Sequence, residues 1–90
     1  MSILLISYDA AATGIEQASV LTIVEEYSHI RLDRGSYAIE TDEKTRTVFN
    51  KIIPCLSANV HLLVVTLNRP FAAPVVGPVS AWLTKHLPED

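Results

Sequence analysis

The chain has 90 residues, 49% of them hydrophobic, and a formal net charge of −3. That length predicts one domain hiding roughly 60 to 65% of the surface its unfolded form exposes, so the apolar surplus predicts a second copy of the chain as cover. Seven basic against ten acidic residues exclude a dedicated nucleic-acid coat, because non-specific affinity for a polyanion rests on many cationic phosphate contacts.

Cys55 is the only cysteine, so an intrachain disulfide is excluded and a reducing, cytoplasmic setting is expected. The apolar run at residues 3–6 lacks a basic flank and is soon followed by Asp9, unlike a secretory signal. No run approaches the ~18 apolar residues that a membrane span needs. No low-complexity tract or long-period repeat appears, which leaves a soluble single domain over residues 1–90, with a core at 1–67 and an extended linker and terminal element at 68–90.

Residues 2–9, Ser-Ile-Leu-Leu-Ile-Ser-Tyr-Asp, join four consecutive large apolar side chains to a polar end. That suits a central strand buried on both faces and surfacing on an acid. The small residues Ala10, Ala11, Ala12 and Gly14 then allow a turn, and Thr13 with Glu16 three positions on matches a capping box. A helix is predicted from Gly14 or Ile15. Ile15, Ala18, Leu21, Val24 and Tyr27 recur beside Val20 and Ile23 as its packing face, while Glu16, Gln17, Glu25 and Glu26 mark the other side.

Residues 29–32 alternate polar and apolar, Asp33-Arg34-Gly35 signals a turn, and residues 36–41 resume an extended pattern, so a hairpin is expected. Arg31, Asp33, Arg34 and Glu40 mark it as the more exposed part of a sheet. Thr41 or Asp42 is the expected cap of a second helix, with Asp42 and Glu43 in a first turn that favours negative charge. Val48, Phe49, Ile52, Ile53 and Leu56 form its core stripe, and Lys44, Arg46 and Lys51 face out. Pro54 ends the regular helix near Ile53, leaving a kinked turn to Leu56.

Residues 60–67 read as a second long buried strand, polar only at His61 and Thr66. The prolines of residues 68–78 predict an extended surface connection. Gly77, Pro78, Val79, Trp82 and Leu83 then fit a short helix stopped by Pro88; the alternative is a strand that pairs with a partner chain, since Val75, Val76 and Val79 also favour extension. The order strand, helix, strand, strand, helix, strand predicts an α+β, ferredoxin-like βαββαβ sandwich with a C-terminal helix or strand extension. The first and fourth strands are expected side by side in its middle. Both helices should lie on one face, leaving the other for the tail, a partner, or both.

The stretches Leu4-Leu5-Ile6-Ser7-Tyr8-Asp9, Gly35-Ser36-Tyr37-Ala38-Ile39, Leu62-Leu63-Val64-Val65 and Trp82-Leu83 resemble the CRISPR-associated protein 2 superfamily, especially its stand-alone SinR-like members. The strand ending in Tyr-Asp is the distinctive part of that resemblance. Virulence-associated protein D, a related toxin ribonuclease, has a similar early acid. The resemblance implies a ferredoxin-like homodimer and, for some members, a metal-dependent endonuclease or endoribonuclease acting on DNA or RNA.

A hard cation such as Mg²⁺ takes oxygen ligands, so Asp9 would be a catalytic and metal residue as a pair, one from each subunit. The competing role for Asp9 is to accept backbone N–H bonds from its own loop. Tyr8, Arg31 and Arg34 are the candidate substrate-binding residues. DNA-binding relatives carry basic residues on the first helix, whereas residues 14–27 here contain none, which suits a non-catalytic interaction or assembly module of the same dimeric fold. His29, His61 and His86 lack ligand spacing, and Cys55 reads as a small core residue.

Overall fold

The computed structural model describes residues 1–9, 12–58, 60–69, 72 and 77–87. Among these the order is β1 (Ser2–Tyr8), α1 (Gly14–Val24), β2 (Ser28–Asp33), β3 (Ser36–Thr41), α2 (Thr45–Ile52), β4 (Leu62–Leu67) and α3 (Pro78–His86), with a 3₁₀ turn at Ile53–Cys55 after α2. The class is α+β.

The described strands form one four-stranded sheet in the order β2-β3-β1-β4, every neighbouring pair antiparallel. β1 is central, as its apolar run predicts, and it does pair with β4. The companion strand in the middle, however, is β3. β4 takes an edge, with Leu63 46% exposed, and it starts at Leu62 rather than at residue 60. The hairpin therefore divides. β2 is the exposed edge, while β3 is buried along almost its whole length despite the charges around it.

Each helix connects two strands across a third: α1 crosses β3 to reach β2, and α2 crosses β1 to reach β4. The core under the helices gathers Leu4, Ile6, Tyr37 and Ile39 from the sheet, with Val20 and Val24 from α1 and Val48 and Ile52 from α2. Leu56, just past the 3₁₀ turn, closes this core as expected, and Cys55 packs against it half-buried. On the opposite face, Ile3 and Ala38 are covered by Leu83 and Leu87, so the terminal element is a helix and it lies on its own sheet. That cover extends to Ile30, Leu32 and Leu67. Val75, Val76, Pro88 and most of the 68–78 connection lie outside the described residues.

The starts of α1 and α2 are held differently. Thr13 caps α1 through a complete capping box, its Oγ1 accepting from Glu16 N at 3.1 Å and Glu16 Oε1 accepting from Thr13 N at 2.9 Å. Glu16 Oε2 also accepts from Ser57 N at 2.6 Å, fastening the start of α1 to the loop after the 3₁₀ turn. The start of α2 differs from expectation. Its cap is Lys44, with no side-chain bond, and Thr41 Oγ1 instead accepts from Glu43 N in the turn before the helix. The buried face of α1 also differs. Val20 and Val24 point inward, whereas Ile15 is 81% exposed and Ala18 and Leu21 are exposed too.

Candidate functional site

β1 carries its residues out of the core at one end of the sheet. Tyr8 is its last strand residue, only 5% exposed, and Asp9 follows it at the surface. Backbone bonds hold both in place: Tyr8 N donates to Gly35 O at 2.7 Å, Asp9 N donates to His61 O at 3.2 Å, and Ala12 N returns to Asp9 O at 3.0 Å. Tyr8 is thus tied to the β2–β3 turn, and Asp9 to the residue before β4 and to its own loop.

The turn is built by Asp33. Its Oδ1 accepts from Gly35 N and from Ser36 Oγ, each at 2.8 Å, and these bonds hold its carboxyl below the usual carboxylate range. Arg31 Nε donates to Asp33 O at 3.1 Å. A register shift between Arg31 and Asp33 bends the edge strand at this point. Tyr8 Oη donates to Arg34 O at 3.2 Å, so the central strand grips the turn that presents Arg34. Burial first, and then neighbouring Tyr37, push the Tyr8 phenol up to about 12. It is a neutral hydrogen-bonding group at physiological pH and not a proton acceptor.

Asp9, Tyr8 and Arg34 consequently meet at one end of the sheet, and Arg31 stands opposite Tyr37 on the neighbouring edge. Arg31 and Arg34 are exposed, while Tyr8 belongs to the core. His61 is the residue that the fold adds. Tyr8 lies opposite Leu62 in the β1–β4 register, which brings the next position, Asp9, beside His61. A signal for this exists in the sequence only once the two strands are known to pair antiparallel. Among the described residues no three His, Cys, Asp or Glu side chains group so that they could hold a metal ion.

The opposite end of the sheet has a different character. Tyr27 Oη donates to Glu43 and accepts from Lys51 Nζ at 3.0 Å, and Lys51 reaches Glu43 Oε2 at 2.7 Å. Lys51 and then Tyr27 hold the Glu43 carboxyl below its ordinary value, and Glu43 and Tyr27 raise Lys51. Burial raises the Tyr27 phenol. These mutual bonds fasten α2 to the entry of β2. A shallow cavity of ≈ 430 Å³ adjoins them, its lining including Glu26, Glu40, Asp42 and Glu43.

No helix of the described residues is long and apolar enough to cross a membrane. No protein-family model matches the chain, and no curated protein matches it.

Proposed function

We propose that the chain is a ferredoxin-like homodimer of the CRISPR-associated protein 2 type, akin to SinR-like members and virulence-associated protein D, that cleaves RNA or DNA phosphodiesters with Mg²⁺ at a pair of Asp9 residues. The observation that carries this reading is the placement of Asp9, exposed directly after the buried central strand and at the end of the sheet that carries Arg34. The order β2-β3-β1-β4, with each helix spanning an intervening strand, supports the ferredoxin-like arrangement.

The donor chemistry suits Mg²⁺, which prefers carboxylate oxygens and retains several waters. In this reading each chain contributes Asp9, and the two-fold symmetry of the dimer would bring a second carboxylate from the partner subunit. The ion's contribution when bound is to stabilise charge on the phosphodiester oxygens. Arg31 and Arg34 would hold the phosphate through guanidinium donors. Tyr8 is a positioning residue, because its hydroxyl holds the turn that carries Arg34.

A second reading, a non-catalytic assembly module with the same dimeric fold, draws support from the face of β4. Leu63 is exposed and Val65 half-exposed beside Leu5, on the side of the sheet that α3 only partly covers. Such an apolar surface favours association whether or not chemistry accompanies it.

Incubation of the protein with RNA and with DNA, with and without Mg²⁺, beside Asp9→Ala and Arg34→Ala variants, separates the two readings. The expected result is Mg²⁺-dependent cleavage that Asp9→Ala abolishes without changing the mass measured by light scattering. Equal cleavage by wild type and Asp9→Ala removes Asp9 from the mechanism. A stable dimer that cleaves neither substrate favours the assembly module, and a monomer removes the shared-metal arrangement.

A further inference from the structure

The residue before β4 brings a second metal-ligating side chain to Asp9. Tyr8 faces Leu62 in the antiparallel register, and the bond from Asp9 N to His61 O at 3.2 Å carries that ladder one position further. Asp9 and His61 are therefore cross-strand neighbours, and both are exposed. Side chains of directly opposed residues leave the same face of a sheet, with their Cβ atoms roughly 5 Å apart. By the same alternation that face carries Leu5, Leu63 and Val65, and α3 covers it at Ile3 and Leu67, the far end of β1 and β4. The three histidines are not equivalent. His29 and His86 are half-buried, and each sets Nδ1 against a backbone carbonyl, Tyr27 O at 2.9 Å and Trp82 O at 2.8 Å. His61 is exposed, and its ring is not held in this way. Spacing along the sequence does not reveal the pair, because its two members meet across strands.

An imidazole nitrogen beside a carboxylate changes the ion that such a site prefers. Mg²⁺ is hard, takes oxygen ligands and gives up its waters reluctantly, so it gains little from a nearby imidazole. First-row transition ions accept carboxylate oxygen and imidazole nitrogen together, with affinity rising from Mn²⁺ to Co²⁺. We infer that His61 is a metal ligand beside Asp9, and that this end of the sheet takes a divalent transition ion in preference to Mg²⁺. The inference rests on the reading of Asp9 as a metal residue and is independent of nuclease activity. Two ligands per chain agree with the absence, among the described residues, of any group of three. The two-fold axis of the proposed dimer doubles them to two carboxylates and two imidazoles.

Calorimetric titration of the untagged protein with Co²⁺ and, separately, with Mg²⁺, beside His61→Ala and Asp9→Ala variants, tests it. His61→Ala is expected to lose roughly tenfold or more in Co²⁺ affinity while its Mg²⁺ affinity changes by less than about twofold. Asp9→Ala is expected to lose both ions. Proton NMR of the Co²⁺-loaded protein supplies the second arm: hyperfine-shifted imidazole resonances are expected in the wild type and absent from His61→Ala. His61 is exposed, so its replacement retains the core, which circular dichroism checks. Unchanged Co²⁺ affinity in His61→Ala, with binding still lost in Asp9→Ala, overturns His61 as a ligand and leaves the metal reading of Asp9 standing. Co²⁺ binding that survives Asp9→Ala, or a wild type that binds neither ion, overturns both. Binding through His61 in a protein that cleaves neither RNA nor DNA supports the inference and removes the nuclease reading alone.

Discussion

Tyr8 shows how one residue can look like a ligand contact and act as a fastener. Its ring is in the core, and its hydroxyl donates to the carbonyl of Arg34 on a turn far away in sequence. Tyr8→Phe is expected to reduce stability by about 1 kcal/mol, the usual net value of one such bond, in a denaturant titration. The pH dependence has a definite sign. Because the folded phenol is raised to about 12, the neutral form is favoured in the native state, and its contribution is complete below the ordinary value of 10.0. That contribution is lost as pH rises through the interval between the two. The stability difference between wild type and Tyr8→Phe should therefore persist at neutral pH and shrink across that alkaline window.

At the scale of elements, the two helix starts make a natural comparison. The capping box of α1 was legible because its chemistry is local: Thr13 and Glu16 are three residues apart and satisfy each other's backbone N–H groups. The second bond of Glu16, to Ser57, was not legible, since it depends on a loop forty-one residues away arriving at the same corner. Those backbone bonds hold the Glu16 carboxyl below its ordinary value. What it contributes is present above the unfolded-state pKa and disappears as pH falls through the folded one. α2 lacks the corresponding side-chain bond, although Lys44 already has the extended backbone of a cap residue. Lys44→Ser is accordingly expected to raise stability by about 1 kcal/mol, read as a higher melting temperature.

For the whole molecule, the sheet has two unequal covers. α1 and α2 bury one face, and α3 buries only part of the other through Leu83 and Leu87. Leu83 is the buried residue within α3, 7% exposed, and Leu83→Ala is expected to cost roughly 2 to 4 kcal/mol in thermal unfolding. In a domain of this size that is a large share of the total. The same substitution should increase exposure of Ile3 and Ala38, measurable as faster amide exchange in β1 and β3.

Local pattern was enough for the elements: the apolar run of β1, the Asp33-Arg34-Gly35 turn, the break at Pro54 and the helix opened by Pro78 all emerge from propensity and spacing. Pairing was a different matter. Periodicity says which residues share a face, but it does not say which strand lies next to which, so it could not send β4 to the edge and β3 to the middle. The apolar residues of α1 do not keep to one side of it, and that left the choice between Val20 and Ile15 as the buried residue to the sheet it lands on. Asp9 follows the same division. The sequence alone marks it as an acid at the end of a buried strand; the antiparallel register of β1 with β3 and β4 is what brings Arg34 and His61 to its side.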